Sequence, residues 1–326
     1  MQAPDLDIIP PSSPAEECRA VIDIGTNSVK LLIARVGDSR VEPILEKGIQ
    51  TRLGEGFFTT RRLRPDAMVR TAETVAAFRS EALSHEPRSL RVLATAAARE
   101  ASNASEFADT LRNRAGVEVE IIDGTLEAEL AFLGVCSNPA LAGKPLLVAD
   151  VGGGSTELIV GESGHRRFSR SFPLGAVRLM ESIHLGDPPG MGALDRCRAS
   201  LADWMSEQMS PAVRVALPPP DAGSVEFVGV GGTVAVLASI LHGLDRYDRD
   251  RIEATRLDSA TLARLTERLW TLDLEKRRQI PGLPPERADI ILTGCAIYEA
   301  LMKTFQLGGL RPSTRGIRFG ALLHAP

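Results

Sequence analysis

The sequence predicts an α/β protein built from two similar domains. Apolar strand-like segments alternate with helix-like segments along most of the chain, which is typical of α/β layer folds. One strand–bend–strand motif occurs twice, about one domain length apart, and this indicates an internal duplication. The length of 326 residues fits two domains better than one.

The repeated motif opens each predicted domain. Residues 19–36 contain an apolar strand, a Gly-Thr-Asn bend and a second strand. Residues 146–160 follow the same plan with a run of three glycines at the bend. Both copies read D-[IV]-G-x-x-S-x-x-L, starting at Asp23 and at Asp150. We therefore expect two hairpins at equivalent places in two related domains.

The segments after the first hairpin alternate between helix and strand. Apolar spacing and turn residues predict a helix over 66–83, a strand over 90–96, a helix over 97–114 that ends before Gly116, a strand over 117–122 and a helix over 125–135.

The second half continues in the same way. The pattern predicts a helix over 192–209, a strand, Gly turn and helix over 225–240, a helix over 258–272, a long helix over 286–306 interrupted near Thr293-Gly294, and a short helix over 315–323. Prolines predict a loop bracketed by Pro211 and residues 218–220, and another at Pro281, Pro284 and Pro285.

Composition and charge exclude several classes of protein. With 44% hydrophobic and 25% charged residues the chain has an average globular makeup, and it holds no run of 18 apolar residues. Residues 1–17 are acidic and Pro-rich rather than signal-like, so we expect a disordered leader and a cytoplasmic protein without a membrane partner. A net charge of −4 gives no indication of nucleic-acid binding. The four Cys and five His show no metal-ligand spacing, which predicts reduced thiols and no zinc site.

Three Gly-rich bends are candidates for phosphate binding. The first bend is Gly25–Ser28, the second is Gly152–Ser155 and the third is Gly231-Gly232-Thr233. Consecutive backbone N–H groups on residues without a Cβ can surround phosphate oxygens. The candidate phosphate-binding residues at these bends are Asn27, Ser28, Gly152, Gly153, Gly154, Ser155, Gly231, Gly232 and Thr233. Three such bends suggest an extended polyphosphoryl ligand.

Two aspartates end apolar strands beside these bends. A carboxylate at the end of a buried strand is costly unless it is paired or binds a metal. Asp23 and Asp150 hold these positions, and Glu157 follows Asp150 across the second bend. Oxygen ligands of this kind suit Mg²⁺, so Asp23, Asp150 and Glu157 are the candidate metal ligands. Capping of backbone amides in the turn is the structural alternative.

The ordered set of motifs resembles the exopolyphosphatase / guanosine-pentaphosphate phosphatase family. The segments that carry the resemblance are DIGTNSVKLLIARV, LATAAAREASN, IIDGTLEAELAFLGV, LLVADVGGGSTELIVG, FPLGAVRLMES, FVGVGGTVAVLA, RADIILTGCAIYEALM and STRGIRFGALL. The resemblance implies two ribonuclease-H-like domains of the actin-like, sugar-kinase superfamily that face a central cleft. It places the first domain at 18–134 with 311–326 and the second at 135–310. The chain ends at Pro326 and resembles the short, two-domain members.

The resemblance also implies roles for single residues. Glu127 of TLEAEL matches the family's general base, although Glu129 lies nearby and spacing alone does not choose between them. Asp150 and Glu157 match the acidic residues of the family's DxGGGSxE motif, which implies Mg²⁺ as cofactor. Arg99 matches an arginine that approaches phosphate. Thr293, Cys295 and Thr314 depart from the family pattern, outside the bends.

The expected reaction is the Mg²⁺-dependent hydrolysis of the terminal phosphoryl group of inorganic polyphosphate. Guanosine pentaphosphate is the alternative substrate, with a nucleoside pocket near the third bend. Two other interpretations stay open: a kinase of the same superfamily, and a polyphosphate or nucleotide sensor without turnover. The resemblance is compatible with a homodimer, for which the sequence marks no interface.

Overall fold

The computed structural model describes residues 16–37, 40–218 and 225–324. Residues 1–15 of the predicted leader lie outside this range, as do Pro219 and Pro220 of the predicted loop. Glu17, predicted as the last leader residue, already begins the first strand.

Five strands form the first sheet. They are β1 (Glu17–Ile24), β2 (Ser28–Val36), β3 (Val41–Gln50), β4 (Ser89–Ala94) and β5 (Glu120–Ile121). Their spatial order is β3-β2-β1-β4-β5. The first three strands pair antiparallel, whereas β1, β4 and β5 run parallel.

Six strands form the second sheet. They are β6 (Pro145–Val151), β7 (Thr156–Glu162), β8 (His165–Phe172), β9 (Glu226–Val230), β10 (Leu257–Asp258) and β11 (Gly309–Ser313). Their order is β10-β11-β9-β6-β7-β8. Strands β6, β7 and β8 pair antiparallel, whereas β6, β9 and β11 run parallel.

The two sheets repeat one topology. The order β3-β2-β1-β4-β5 in the first corresponds to β8-β7-β6-β9-β11 in the second, with the same strand directions. Each copy of the sequence motif forms the central hairpin, β1–β2 or β6–β7. The predicted α/β fold with two ribonuclease-H-like sheets is confirmed. The numerical domain limits stay a prediction.

Helices connect and cover the strands. They are α1 (Phe57–Thr60), α2 (Pro65–Ser84), α3 (Ala96–Glu100), α4 (Ala104–Ala115), α5 (Gly124–Cys136), α6 (Ala176–Ser182), α7 (Met191–Gln208), α8 (Ser210–Ala216), α9 (Gly232–His242), α10 (Arg249–Ala254), α11 (Ser259–Thr271), α12 (Leu274–Arg278), α13 (Ile291–Thr304) and α14 (Ile317–Leu323). Short 3-10 turns lie at Pro139–Leu141 and Pro285–Arg287.

Four predicted elements need correction. The helix predicted over 97–114 is broken between α3 and α4, where the Asn103 side chain bonds the backbone N–H and C=O of Leu63. The strand predicted over 117–122 is limited to Glu120–Ile121. Pro211 lies in the first turn of α8, where the missing N–H of proline costs no helical hydrogen bond.

The predicted long helix over 286–306 begins later and is continuous. It starts at Ile291 and passes through Thr293 and Gly294 without interruption. The Thr293 hydroxyl lies within hydrogen-bond distance of the carbonyls of Ala176 and Ile290, and a Cβ on Gly294 would lie 2.5 Å from the Thr233 Oγ1. These two residues therefore serve close packing, which overrides their weak helix propensity.

Helix α14 returns to the first sheet after β11 has joined the second. Phe319 and Leu322 pack with Val21 and Leu32 of that sheet. Helix α14 also lies against α5, where a Cβ on Gly320 would come within 1.9 Å of the Leu130 carbonyl oxygen. This contact fixes the orientation of α5, which carries Glu127.

The remaining sequence expectations concern thiols and membranes. All four cysteines are free, as predicted. Across residues 16–37, 40–218 and 225–324, no helix has both the length and the apolar character that crossing a bilayer requires.

Candidate active site

A cleft of about 870 Å³ lies between the two halves of the fold. Its lining includes all three Gly-rich bends and the carboxylates of Asp23, Glu127 and Asp150. The cleft therefore brings together most of the residues that the sequence singles out.

The first and second bends have the same hydrogen-bonded shape. The Gly25 N–H donates to the Ser28 carbonyl at 3.0 Å, and the Gly152 N–H donates to the Ser155 carbonyl at 2.9 Å. The two bends also pack against each other, because a Cβ on Gly153 would lie 2.9 Å from the Thr26 Cβ. Glycine is required here by this close approach.

The third bend starts α9 and touches both a carboxylate and a guanidinium. Gly231 has a φ of +98°, and a Cβ there would lie 3.0 Å from the Asp150 Oδ1. A Cβ on Gly232 would lie 2.0 Å from an Arg287 nitrogen. Both glycines therefore leave room for charged groups, and Thr233 is buried beside them.

Helix α5 carries Glu127 into the cleft. The Asp123 side chain caps this helix by accepting hydrogen bonds from the N–H groups of Thr125 and Leu126. Glu127 follows in the first turn, and only 5% of its surface is exposed. Its Oε2 accepts a 2.7 Å hydrogen bond from the Arg99 Nη1.

Burial sets the protonation of Glu127. Loss of solvation, followed by the charge of Glu157, raises the pKa of Glu127 well above its usual range, against the opposing effect of Arg99. Glu129, the alternative base, lies outside the cleft lining and pairs with Arg166 at 2.7 Å. The two glutamates therefore have different surroundings although they are two residues apart.

Arg99 lies behind Glu127 rather than among the residues that line the cleft. One nitrogen, Nη1, donates to the Glu127 carboxylate and also to the Ile122 carbonyl at 2.9 Å. The resemblance implies that this arginine approaches phosphate. The observed contacts join it instead to the carboxylate.

The second hairpin places two carboxylates side by side. Asp150 of β6 and Glu157 of β7 are direct cross-strand partners, and both are buried. Burial raises the pKa of Asp150 to about 6 and the pKa of Glu157 to about 7. The Ser171 hydroxyl donates a 2.6 Å hydrogen bond to Glu157 Oε1.

The first hairpin places an aspartate and a lysine at the equivalent positions. Asp23 pairs across the strands with Lys30, as Asp150 does with Glu157. Burial raises the pKa of Asp23 and lowers the pKa of Lys30 to about 8. The Asp23 Oδ1 is buried without a hydrogen-bond partner in the described part of the chain. Opposite its aspartate, the first hairpin therefore has the cation of Lys30, whereas the second hairpin has the carboxylate of Glu157.

The carboxylates of the cleft fit a divalent cation bound partly by substrate. No group of three or more His, Cys, Asp or Glu residues in the described ranges is arranged to hold a metal alone, so Asp23, Asp150 and Glu157 do not form such a cluster. Mg²⁺ usually takes one or two carboxylates together with water and substrate phosphate. Asp150 and the unpartnered Asp23 oxygen line the cleft and match this donor set, whereas Glu157, the cross-strand partner of Asp150, is buried outside the cleft lining.

Sequence reasoning missed the cations of the cleft. Its lining includes five basic residues, which are Lys30, Lys47, Arg246, Arg287 and Arg318. Arg287 donates to the Ser28 hydroxyl at 3.4 Å, and Arg318 donates to the Leu31 carbonyl at 2.9 Å. For Lys30 the signal was present, because the alignment of DIGTNSVKL with DVGGGSTEL sets this lysine against Glu157. Arg287 and Arg318 lie far along the chain and carried no comparable signal.

Comparison with known protein families gives one match that covers most of the chain. A model of the Ppx/GppA phosphatase family matches residues 32–325. Exopolyphosphatase 2 of Mycobacterium tuberculosis is 33% identical over 294 residues, which cover 87% of this chain and 89% of the relative.

Solved structures agree with the fold. A crystal structure of an exopolyphosphatase-like protein superposes with a TM-score of 0.84 at 29% identity, covering 95% of this chain and 98% of the other. An exopolyphosphatase from Cytophaga hutchinsonii gives a TM-score of 0.83 at 27% identity, with coverages of 94% and 96%.

Proposed function

Because the chain belongs to the Ppx/GppA phosphatase family, we propose that it is an exopolyphosphatase that releases orthophosphate from the end of inorganic polyphosphate. The names of the similar proteins support the substrate class. The observation that carries the proposal is the buried Glu127 carboxylate, which lines the same cleft as the three phosphate-binding bends.

Glu127 has the properties of a general base. Burial raises the pKa of Glu127 well above the usual range of a glutamate, which makes its ionised form a stronger base, and the Arg99 guanidinium fixes its orientation. We assign it to the attacking water. The water oxygen bonds to the terminal phosphorus, the proton goes to Glu127, and the bridging P–O bond breaks with its electron pair on the shortened chain.

The bends bind the terminal phosphoryl group. Backbone N–H groups and the Ser28 and Ser155 hydroxyls offer donors from both halves of the fold, and Lys30 and Arg287 add positive charge. Catalysis of phosphoryl transfer depends mostly on positioning and electrostatic stabilisation. A cleft that presents fixed donors from two sides supplies both.

Asp150 and Glu157, with Asp23 beside them, are the residues that would hold Mg²⁺. When bound, Mg²⁺ offsets negative charge on the phosphate oxygens. Glu157 is held for this role by Ser171, and the two strands keep Asp150 directly opposite.

Guanosine pentaphosphate is a second candidate substrate. Beyond the third bend the cleft has an apolar wall that includes Val236, Leu244 and Tyr247. Its volume of about 870 Å³ also exceeds what a terminal phosphate alone would fill. An apolar wall with an aromatic side chain suits a nucleoside base.

The test is orthophosphate release with Mg²⁺ from polyphosphate and from guanosine pentaphosphate in parallel. We expect release from polyphosphate by the wild type and a loss of about 10²- to 10⁴-fold in Glu127→Gln. Glu129→Gln is the matched control and should retain activity. Near-wild-type turnover by Glu127→Gln would contradict the assignment, whereas binding without release by the wild type would favour a sensor. Phosphorylation of an added acceptor by ATP would favour the kinase.

A further inference from the structure

The carbonyl groups of the three glycines in the second bend are all held on one side. The Ala176 N–H donates to the Gly152 carbonyl at 2.9 Å, and the N–H groups of Val177 and Arg178 donate to the Gly153 carbonyl at 2.9 and 3.0 Å. The Arg178 Nε donates to the Gly154 carbonyl at 2.7 Å. Three successive carbonyls therefore point toward α6.

This arrangement determines where the amides of the bend point. In a trans peptide the C=O and the following N–H point in opposite directions. The N–H groups of Gly153, Gly154 and Ser155 therefore point away from α6. None of them donates a hydrogen bond within the part of the chain that is described. Three unpartnered amides on a cleft-lining bend form a ready anion-binding surface.

The first bend is held in the same way by backbone alone. The Gly54 N–H donates to the Thr26 carbonyl at 2.8 Å, and the N–H groups of Thr51 and Arg52 donate to the Asn27 carbonyl. These two carbonyls are equivalent to those of Gly153 and Gly154. The second bend thus depends on a side chain, Arg178, for a hydrogen bond that backbone supplies in the first.

The Arg178 side chain is itself fixed in place. Its Nη2 donates to the Glu100 Oε1 at 2.6 Å, and its guanidinium lies 4.2 Å above the Phe58 ring. Only 17% of the side chain is exposed. Close packing adds to this, because a Cβ on Gly175 would lie 2.5 Å from the Gly153 carbonyl. The guanidinium therefore has a defined direction before any ligand binds.

We propose that Arg178 is a positioning residue that holds the second bend with its three amides facing the phosphoryl group. The proposal rests on the proposed function for the identity of that group, and it deepens the function by naming what preorganises the site. Arg178 need not contact the substrate, because its charge is engaged by Glu100 and by the Gly154 carbonyl.

The test compares Arg178→Met, Arg178→Lys and the control Arg167→Met. Arg167 is an exposed arginine of β8 that pairs with Glu162. In Arg178→Met the charge-assisted hydrogen bond is lost, so kcat/KM should fall about 10- to 100-fold. The inhibition constant of inorganic orthophosphate should rise in parallel, while Arg167→Met should match the wild type.

Arg178→Lys separates positioning from packing. Lysine keeps a charged donor, so this variant should bind orthophosphate better than Arg178→Met, and equal losses would overturn the proposal. Wild-type values in a folded Arg178→Met would overturn it as well. Should Arg178→Met not fold, amide NMR of the wild type decides. Orthophosphate should shift the amides of Gly153, Gly154 and Ser155, and unchanged amides would overturn the proposal.

The amide shifts caused by orthophosphate do not depend on the proposed function, whereas kcat/KM and the inhibition constant do. If the wild type binds orthophosphate through the three amides but releases none from polyphosphate, the proposed function fails and the role of Arg178 stands. If the wild type hydrolyses polyphosphate and Arg178→Met does so equally well, the proposed function stands and the role of Arg178 fails.

Discussion

Replacing Arg99 by methionine should raise the pKa of Glu127 and move the acid limb of activity to higher pH. Arg99 donates to the buried carboxylate at 2.7 Å and lowers its pKa against the stronger effect of burial. Methionine keeps much of the side-chain length and removes the charge. The perturbation therefore acts on the carboxylate with little change in volume.

The magnitude follows from this contact. A hydrogen bond to a charged group contributes about 1.5–3 kcal/mol, so above the new pKa Arg99→Met should be less stable than the wild type by about that amount. The acid limb of kcat/KM should move to higher pH, because the lowering effect of Arg99 on the pKa of Glu127 is lost. The 5% exposure of Glu127 leaves little solvent screening to reduce this value.

The direction of the stability change can be worked out. The folded-state pKa of Glu127 lies above its unfolded value, so ionisation costs stability as pH rises through the folded-state pKa. Arg99→Met raises that pKa further. Its deficit in the free energy of unfolding should therefore be smallest at acidic pH and grow toward alkaline pH.

The assays are a pH profile of kcat/KM and urea unfolding at several pH values. Arg91→Met is the matched control. Like Arg99, Arg91 donates to a backbone carbonyl and to a glutamate, but this glutamate, Glu120, is 46% exposed and lies outside the cleft lining. The control should show no shift of the acid limb. An unmoved acid limb in Arg99→Met, or a deficit that does not depend on pH, would refute the reasoning.

Three further predictions concern the metal, its support and the packing of α5. Chelation by EDTA should abolish orthophosphate release and Mg²⁺ should restore it; full activity after chelation would exclude the assigned ligand role. Ser171→Ala removes the hydrogen bond to Glu157 and should raise the Mg²⁺ concentration for half-maximal activity by about 10- to 100-fold. An unchanged Mg²⁺ concentration would argue against Glu157 as a metal ligand. Gly320→Ala should lower the free energy of unfolding by about 1–3 kcal/mol or more in urea, because its Cβ would strike the Leu130 carbonyl. Gly308→Ala, with no atom within 4 Å, should be neutral, and equal effects would refute the packing argument.

Local signals in the sequence predicted most elements well. Gly116 stops α4 in a left-handed conformation, as expected from its place after the last apolar residue. The sequence analysis did not predict β3, β8, β10 or β11. The edge strands β3 and β8 were missed because their sequences, VEPILEKGIQ and HRRFSRSF, are rich in charge and lack an apolar run. Their strand conformation depends on pairing with β2 and β7, which no local pattern records.

The choice between Glu127 and Glu129 is one that a local sequence pattern cannot predict. Two residues along a helix turn a side chain by about 200°, so the two carboxylates face different ways. Which one faces the cleft depends on how α5 is rotated. Contacts of α14 with α5 set that rotation, and α14 lies almost 200 residues away in the chain.

The sequence by itself determined the duplicated hairpins, their glycine bends and the aspartates that end their first strands. These features need only local hydrogen bonds and the close approach that glycine permits. Only the tertiary structure decided that Arg287 and Arg318 line the same cleft as those aspartates, that Arg99 holds Glu127 and that Arg178 holds the second bend. Each of these contacts joins residues distant in sequence, and burial in a shared cleft then sets their charge states.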